Sequence, residues 1–359
     1  MELLDRARQA AADAGFDVLL VSPGPDLRYL TGYQALPLER LTCLVLPARG
    51  EAFMVVPLLE EPAAQAALGG GLELVTWGET DDPYAKIAAR LGSPALAGLD
   101  NHMHAEKVLR FRAALPGTEQ GLAGDVLREL RMRKTPAEVA SLRAAGAAID
   151  RVHRRMAEWL RPGRTEHDVA RDIADAILAE GHATVDFVIV ASGPNGASPH
   201  HEVSGRVIEA GEPVVVDIGG TMPDGYCSDS TRTYSLGEPH SDFVDLYTVL
   251  LRAQVAQTET VRPGITAQEL DGVGRGVIAA AGYGEYFVHR TGHGIGLSTH
   301  EEPYIVAGSP LPLEAGMAFS IEPGIYIPGR FGARIEDICV CTPDGGERLN
   351  LTSRELVVL

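Results

Sequence analysis

The sequence of residues 214–220, VVVDIGG, places one acidic residue inside a run that is otherwise apolar enough to form a strand buried on both faces. Burying a carboxylate without a partner costs several kcal/mol. The same conflict recurs at residues 318–322 (AFSIE) and 333–338 (ARIEDI), where acids again interrupt predicted strands. One such acid alone would be interpreted as a strand-end carboxylate bonded to backbone or to an arginine. Repeated exceptions to a local rule indicate a functional site instead.

An internal repeat surrounds these acids. Residues 161–165 (RPGRT) return 101 positions later as residues 262–266 (RPGIT), and residues 208–211 (IEAG) return as residues 313–316 (LEAG). Each copy leads from a turn through a helix and an apolar strand to two carboxylates. The four acids are Asp217 and Asp229 in the first copy, and Glu322 and Glu336 in the second. Two copies are too few for a solenoid, so the repeat predicts two α+β halves related by a pseudo-twofold axis.

Four carboxylates at one centre repel each other unless cations neutralise them, and oxygen ligands suit Mn²⁺ or Mg²⁺. His293, within residues 291–296 (TGHGIG), could add a nitrogen ligand, which extends the choice to Zn²⁺ or Co²⁺. Its glycine neighbours allow the backbone to pass close to a crowded centre. The same run lacks the spacing of a dinucleotide-binding loop and the lysine and hydroxyl of a phosphate-binding loop. A metal centre is therefore the favoured interpretation.

The first third of the 359-residue chain alternates short apolar runs with amphipathic ones, which predicts an α/β domain. Strands are predicted at residues 17–21, 41–46, 52–56 and 72–77, and helices at residues 1–14, 83–91 and 105–115. Thr135 and Pro136 predict the start of a further helix, which the threonine caps. We expect the domain boundary near residue 130, with residues 1–130 in one domain and residues 131–359 in the other.

Net charge and apolar content limit the partners that the protein can bind and its location in the cell. The 31 basic and 49 acidic residues give a formal net charge of −18, which opposes binding to nucleic acid and to anionic membranes. The chain has no run of 18 apolar residues, and residues 1–14 do not have the features of a signal peptide. Its four cysteines cannot build a disulfide framework, and Cys339 and Cys341 are expected to share one buried strand face. We therefore expect a cytoplasmic protein that binds neither nucleic acid nor membranes.

The ordered set Asp217, Asp229, His293, Glu322 and Glu336 resembles the five dinuclear-metal ligands of the pita-bread metallopeptidases, which include methionine aminopeptidase, aminopeptidase P and prolidase. The surrounding motifs agree with the resemblance: residues 225–233 (GYCSDSTRT), 293–296 (HGIG), 300–303 (HEEP), 322–326 (EPGIY) and 334–337 (RIED). Residues 25–33 (PDLRYLTGY) are similar to a turn in the N-terminal domain of creatinase, prolidase and aminopeptidase P. Methionine aminopeptidases generally lack that domain, and creatinase lacks the metal ligands.

The resemblance implies a creatinase-type, ribonuclease H-like α/β N-terminal domain followed by an α+β pita-bread catalytic domain. It also implies that Asp229 and Glu336 bridge two divalent metal ions, that Asp217 completes one site, and that His293 and Glu322 complete the other. Mn²⁺ is the preferred ion, with Co²⁺ or Zn²⁺ as alternatives. In such a site a water between the ions is the nucleophile, so no nucleophilic side chain is needed, and Glu322 accepts the proton of that water.

Two histidines lie near the ligands in the resemblance. His200 matches a histidine near the substrate, and His300 matches one on the oxyanion side, so either could relay protons near neutral pH. His201 has no counterpart among the site residues of the family, and we interpret it as a solvated loop residue.

A second group of residues resembles the pocket for the proline side of the substrate. It consists of His289, Tyr326 and Arg334. For Arg334, the sequence is equally compatible with recognition of a dipeptide carboxylate and with charge pairing to Glu336 and Asp337.

The resemblance predicts a Xaa-Pro dipeptidase of the prolidase type. Such a metallo-exopeptidase hydrolyses the imide bond before proline in dipeptides or short proline-containing peptides, and the resemblance implies a homodimer. Aminopeptidase P, which acts on longer peptides, is the alternative within the family, and the short first domain favours the smaller substrate. A non-catalytic pita-bread binding module is the third hypothesis. Such modules typically lose metal ligands, whereas all five are present here.

Overall fold

The computed structural model describes residues 2–359 and divides into two compact units. The first unit ends at Arg131, and the second comprises Met132–Leu359. The predicted N-terminal helix is present as Glu2–Asp13, and residue 1 of that prediction lies outside the described residues.

The first unit contains a six-stranded mixed sheet, as an α/β domain requires. Its strands are β1 (Val18–Val21), β2 (Cys43–Pro47), β3 (Phe53–Pro57), β4 (Glu73–Trp77), β5 (Leu96–Leu99) and β6 (Glu119–Leu122). Its helices are α1 (Glu2–Asp13), α2 (Pro25–Thr31), α3 (Glu61–Leu68), α4 (Pro83–Leu91), α5 (Ala105–Ala114) and α6 (Gly124–Met132), with a 3₁₀ helix at Leu58–Glu60. The strand order is β4-β3-β2-β1-β5-β6, in which β1 is antiparallel to β2 and parallel to β5.

Strand β1 shows why this sheet is buried on both faces. Val18 and Leu20 belong to one apolar cluster and Leu19 and Val21 to another, and all four are at most 1% exposed. Side chains alternate across a strand, so an unbroken apolar run fits a sheet that is covered on both faces. The four predicted strands and the helices α4 and α5 are confirmed, with ends that differ by two residues at most.

Residues 25–33, which resemble a turn in the N-terminal domain of the family, mostly form the helix α2 in this structure. Proline at its first position already has the backbone angle that a helix needs, and its missing N–H would have no partner there. Gly32 follows the helix with φ 74° and ends it in the left-handed conformation. Helices α3 and α6 and strands β5 and β6 were not predicted, since β5 and β6 each contain a glycine and β6 is largely polar.

The second unit packs helices and three antiparallel or mixed sheets. Its helices are α7 (Pro136–His153), α8 (Glu166–Ala179), α9 (Ser241–Thr260) and α10 (Ala267–Ala280), with 3₁₀ helices at Met156–Glu158, Gly193–Ala197 and Gly284–Tyr286. Its strands are β7 (Thr184–Ser192), β8 (Pro213–Thr221), β9 (Cys227–Ser235), β10 (Gly292–Gly294), β11 (Glu301–Ile305), β12 (Ala318–Ile321), β13 (Gly324–Ile327), β14 (Phe331–Arg334), β15 (Asp337–Thr342), β16 (Gly345–Arg348) and β17 (Val357–Val358). The sheets have the orders β17-β9-β8-β7, β11-β10-β12-β15-β16 and β13-β14.

The predicted repeat is confirmed at the level of single backbone hydrogen bonds. In the first copy, Gly163 N donates to Ile208 O at 2.9 Å; in the second, Gly264 N donates to Leu313 O at 2.8 Å. Helices α8 and α10 follow these turns, and each has 14 residues and a threonine cap. The two halves of the unit thus use the same turn, the same cap and the same helix.

The predicted strand at residues 333–338 is wrong, because two strands of different sheets meet there. Strand β14 ends at Arg334 and β15 begins at Asp337, so Glu336 lies in the connection. Its backbone N–H donates to Thr231 O at 3.1 Å, outside both ladders. The apolar and charged pattern is continuous across this break, and it carries no sign of the change of sheet.

None of the helices between residues 2 and 359 combines the length and apolar character needed to cross a membrane. All four cysteines are buried free thiols, and Cys339 and Cys341 share one apolar cluster, as expected.

Candidate metal centre

The hairpin of β8 and β9 supplies two of the predicted ligands. In its antiparallel register Asp217 lies opposite Thr231, and Gly219 lies opposite Asp229. Directly opposed residues share a face of the sheet, as do residues two apart on one strand. Asp217 and Asp229 therefore point to the same side, and both are buried, at 9% and 3% exposure.

The second half of the unit supplies the other three ligands. His293 lies on β10, Glu322 directly follows β12, and Glu336 lies between β14 and β15. The Oγ1 hydroxyl of Thr231 donates to Glu336 Oε2 at 2.7 Å. A residue of the first half thus orients a carboxylate of the second.

Close backbone packing explains the glycines beside His293. A Cβ atom at Gly292 would lie 1.9 Å from Ser320 O, and one at Gly294 would lie 2.3 Å from Glu302 O. No side chain fits at either distance, so glycine is required there for close approach rather than for a left-handed turn. The backbone beside His293 therefore passes close to the neighbouring strands β11 and β12.

The five predicted ligands line one cavity. His293 Nε2 lies 3.3 Å from Glu322 Oε1 and 3.6 Å from Asp229 Oδ2. One ligand atom from each of Asp229, His293 and Glu336 lies within 4.8 Å of the others. The structure therefore brings these acids and the histidine together at one centre, although the first and the last of them are more than a hundred residues apart in the chain.

Three carboxyl groups of this cluster have raised pKa values, those of Asp229, Glu322 and Glu336. Burial raises the pKa of Asp229 well above its usual range, and the charges of Glu336, Asp217 and Glu322 raise it further. Burial also raises the pKa of Glu336, again with help from the neighbouring carboxylates. For Glu322, burial raises the pKa to about 7 against the opposing charge of Arg334. Without cations, these groups hold protons that they would lose in water.

His293 is neutral and directs one nitrogen lone pair at the carboxylates. Burial lowers its pKa to about 3, and the charge of His300 adds to this effect. Its Nδ1 lies 3.1 Å from Gly294 O, and a carbonyl only accepts, so we assign the proton to Nδ1. Nε2 then faces Asp229 and Glu322 unprotonated, as a metal-ligating histidine requires.

The donor set fits divalent cations. Oδ1 of Asp217 is buried and accepts no hydrogen bond from the described part of the chain. Among the lysines and arginines of residues 2–359, Arg334 is the one that forms an ion pair with any of the four acids. Buried charges are otherwise paired or bound to metals, and carboxylate oxygens with one imidazole suit ions such as Mn²⁺, Co²⁺ and Zn²⁺.

The cavity has a volume of about 630 Å³, which is in the range of small-molecule sites. Phe187 and Ile189, two apart on β7, give it an apolar wall, and Ile189 is paired with Asp217 of the neighbouring strand β8. The other lining residues are Pro199, His200, Asp217, Asp229, His289, Arg290, His293, His300, Glu322, Arg334 and Glu336.

His200 and His300 both face this cavity, as the resemblance implied. The ring of His300 packs edge-on against that of His293, with centroids 4.0 Å apart. Burial lowers the pKa of His300, and Arg290 and His200 lower it further, so its imidazole is neutral near pH 7. His200 is exposed within the cavity.

The interpretation of His201 as a solvated loop residue is wrong. Its side chain is 15% exposed, and its Nε2 lies 2.8 Å from Oε2 of Glu166, which is fully buried. The acid precedes the histidine by 35 positions, on the helix α8. Sequence spacing therefore gave no sign of this contact.

Arg334 forms a charge pair, but with a different partner from those considered. Its Nη2 donates to Asp217 Oδ2 at 2.6 Å, and its Nη1 donates to the Tyr326 hydroxyl at 2.8 Å. No ion pair joins it to Glu336 or Asp337 within residues 2–359. Arg334 is 3% exposed, so it braces the metal centre and also forms part of the cavity wall.

Tyr326 lies behind the cavity rather than on its surface. Its hydroxyl accepts from Arg334 and lies 2.9 Å from His289 Nε2. Nδ1 of His289 donates to Arg290 O at 2.7 Å, so Nε2 is the acceptor of the tyrosine proton. Burial and the charge of Arg334 lower the pKa of His289 to about 4. The structure thus joins the three predicted pocket residues in one hydrogen-bonded chain, of which His289 and Arg334 reach the cavity.

Sequence reasoning missed Arg290. Its guanidinium stacks over the ring of Tyr304 at 4.3 Å and lines the cavity, and it forms no ion pair within residues 2–359. The available signal was its place in the chain, between the predicted pocket residue His289 and the glycine-rich run of residues 291–296.

Two family models match the chain. The Creatinase/Prolidase N-terminal domain matches residues 4–133, and metallopeptidase family M24 matches residues 140–343. The chain therefore belongs to metallopeptidase family M24, and its second unit is a pita-bread domain, as the resemblance predicted.

Named relatives match nearly the whole chain. The probable dipeptidase PepE of Mycobacterium tuberculosis is 56% identical over 356 residues, which cover 98% of this chain and 95% of that protein. The Xaa-Pro dipeptidase of Lactobacillus delbrueckii subsp. lactis is 39% identical over 364 residues, covering 99% and 98%. The crystal structure of dipeptidase PepE from Mycobacterium ulcerans has a TM-score of 0.95 and 54% identity, covering 99% of this chain and 97% of that one.

Cation binding should release protons, because the raised pKa values of Asp229, Glu322 and Glu336 keep protons on these groups. We expect the affinity of the metal-free protein for Mn²⁺ to increase as pH rises through about 7, where Glu322 loses its proton unaided. Calorimetric titration in two buffers of different ionisation enthalpy measures the number of protons released.

Glu322→Gln should lower that number near pH 6, whereas Glu285→Gln, at an exposed acid, should leave it unchanged. Mn²⁺ affinity that is constant between about pH 6 and 8, without proton release, would contradict the electrostatic account.

Proposed function

We propose that this protein is a Xaa-Pro dipeptidase that uses two divalent metal ions held by five side chains. These are Asp217, Asp229, His293, Glu322 and Glu336. The observation that carries the proposal is their convergence, mostly buried and with little compensating charge, in one cavity of about 630 Å³. The Xaa-Pro dipeptidase and the dipeptidases among the relatives support the substrate class.

When bound, divalent cations supply the positive charge that polarises a peptide carbonyl and makes a water nucleophilic at neutral pH. The chain supplies the proton transfer. Ser320 Oγ donates to Glu322 Oε1 at 3.0 Å, so Oε2 is the oxygen left to accept a proton from water. The same oxygen can then pass that proton to the departing proline nitrogen.

The two cavity histidines bind the substrate in this proposal. His300, beside His293, stabilises the carbonyl oxygen on which negative charge develops. His200, which lies on the loop of residues 192–204, contacts the substrate. His289 and Arg334 form the wall for the proline ring, and Tyr326 fixes their relative position from behind.

Arg290 provides the charge for a free substrate carboxylate. Four donor contacts already engage Arg334, with Asp217, Tyr326, Thr231 and Pro199. Arg290 keeps its guanidinium on the cavity surface against Tyr304. A dipeptide carries a carboxylate directly after the bond to be cleaved, and a bidentate arginine contact suits such a group.

The proposal includes Mn²⁺ as the preferred ion, a cytoplasmic location and a homodimer. Oxygen atoms dominate the ligand set, which supports Mn²⁺ over softer ions, with Co²⁺ or Zn²⁺ as alternatives. Four free cysteines fit a reducing compartment. The homodimer rests on resemblance to the family.

Hydrolysis of a panel of Xaa-Pro dipeptides and Xaa-Pro-Xaa tripeptides, with Mn²⁺, Co²⁺ or Zn²⁺, tests the proposal. We expect the dipeptides to be cleaved and the tripeptides to be poor substrates. Asp229→Ala should lower kcat/KM by more than ~100-fold, the upper range for residues that merely support a metal ligand. Asp245→Ala, at an exposed acid of α9, is the matched control and should match the wild type.

Release of the first residue from tripeptides at rates comparable with those for dipeptides would overturn the dipeptidase assignment in favour of an aminopeptidase. Absence of bound metal together with absence of peptidase activity in added Mn²⁺ would support a binding module instead.

Arg290→Met should raise KM for a Xaa-Pro dipeptide by about 10-fold or more, because a charge-assisted contact to the carboxylate is lost. The corresponding Xaa-Pro amide has no carboxylate, so its KM should barely change. Steady-state kinetics on the two substrates measure the difference. An equal increase in KM for both would show that Arg290 shapes the cavity without recognising the carboxylate.

A further inference from the structure

Glu166 is a fully buried acid outside the metal centre, and six hydrogen bonds saturate its carboxylate. Its Oε1 accepts from Ser192 N at 2.8 Å, Ser192 Oγ at 2.7 Å and Asn195 Nδ2 at 2.9 Å. Its Oε2 accepts from His201 Nε2 at 2.8 Å, Ser204 N at 3.2 Å and Ser204 Oγ at 2.7 Å. Each carboxylate oxygen thus has three donors.

These contacts keep Glu166 ionised despite its burial. Burial alone would raise its pKa, but the hydrogen bonds from Ser192, Ser204 and His201 outweigh it and lower the pKa to about 2. Arg206 Nη1 donates to Ser192 Oγ at 2.8 Å and so brings a positive charge to the other side of that hydroxyl. The network is polarised toward the carboxylate.

The internal repeat shows that the fold does not need this carboxylate. At the repeat offset of 101, Glu166 corresponds to Ala267, which is also fully buried. The backbone makes the same contact in both halves: Glu166 N donates to Arg206 O at 3.1 Å, and Ala267 N donates to Leu311 O at 2.9 Å. The acid therefore serves something that the first half has and the second lacks.

The first half has the loop of residues 192–204, from which all six hydrogen bonds come, and this loop carries His200. The loop is held on its other side as well, because Arg334 Nη1 donates to Pro199 O at 3.2 Å. A Cβ atom at Gly332 would lie 2.0 Å from Gly196 O, so the loop backbone also touches β14. Within residues 2–359, the imidazole of His200 itself has no hydrogen-bond partner. The direction of the His200 side chain therefore depends on its two neighbours in the chain, Pro199 and His201.

In the second half, the residue directly after the cavity histidine is also paired, with different chemistry. Glu301, directly after His300, forms an ion pair with the buried Lys134 at 2.5 Å. In both halves, the residue after the cavity histidine turns away from the cavity and pairs with a buried ionisable residue.

We propose that Glu166 is a positioning residue for the site: through His201 and the loop of residues 192–204, it holds His200 in the cavity. It does not touch the substrate. Its carboxylate collects the donors of the loop into one rigid arrangement, which aims the unbonded imidazole of His200 at the metal centre. This inference rests on the proposed function for its kinetic test alone, and a spectroscopic test is independent of it.

His201→Ala removes one of six donors and leaves Glu166 bonded, so the variant should fold. We expect kcat/KM for a Xaa-Pro dipeptide to fall about 10-fold, and Glu166→Gln to lower it by about 10- to 100-fold, the range for a misplaced site group. His201→Gln places an N–H donor near the Nε2 position and should stay within about 3-fold of the wild type. His167→Ala, at an exposed histidine of α8, is the matched control.

A double-mutant cycle separates positioning from general loosening of the structure. In a His200→Ala background, His201→Ala should change kcat/KM by less than about 2-fold, because the group it positions is absent. An undiminished 10-fold loss in that background would overturn the proposal, as would full activity of His201→Ala and Glu166→Gln in the wild-type background.

The imidazole NMR signals of His200 in metal-free protein, assigned with His200→Ala, give the independent test. They should shift in His201→Ala and Glu166→Gln and stay unchanged in His167→Ala. Unchanged signals in the first two variants would overturn the proposal even if the enzyme is active. If the wild type cleaves no Xaa-Pro peptide, the proposed function fails, and the NMR result alone decides the positioning role.

Discussion

The arrangement of the second unit depends on four carboxylates that are gathered, mostly buried, around one centre. Burial removes hydration from these groups and their charges repel each other, so the pKa values of Asp229, Glu322 and Glu336 rise. A fold optimised for its own stability would replace them with apolar groups of similar size. Their retention, with one orphaned oxygen on Asp217 and one unprotonated nitrogen on His293, is intelligible if the missing charge is supplied by divalent cations.

The scaffold meets this constraint with two copies of one turn, helix and strand unit. Each copy contributes a pair of acids. The register of the β8–β9 hairpin places Asp217 and Asp229 on one face, whereas Glu322 follows β12 and Glu336 lies between β14 and β15. Around the centre, the polar residues are themselves fixed: Thr231 bonds Glu336, Arg334 bonds Asp217, and Tyr326 links Arg334 to His289. Binding a metal or a substrate therefore requires little rearrangement of side chains, which is how a site gains affinity and orientation at low entropic cost.

Much of this arrangement could be predicted from the sequence, because the residues that build it depart from the local pattern around them. Acids inside apolar strands and glycines around His293 break local rules, and the repeat shows that they recur in register. What could not be predicted depends on contacts between distant segments. His201 was misinterpreted because its partner Glu166 is contributed by a helix 35 residues earlier. The prediction of one strand at residues 333–338 was wrong because the sequence pattern is the same whether the chain stays in one sheet or passes to another. Arg290 was missed because only the fold shows that its side chain faces the cavity, although it lies between His289 and the run of residues 291–296.

Anomalous diffraction from crystals grown with Mn²⁺ tests the proposal that the five side chains hold two divalent cations. This proposal predicts two peaks about 3.5–4 Å apart, with Asp217, Asp229, His293, Glu322 and Glu336 as their protein ligands. Absence of any peak between these residues at saturating Mn²⁺, or peaks bound elsewhere on the chain, would contradict it.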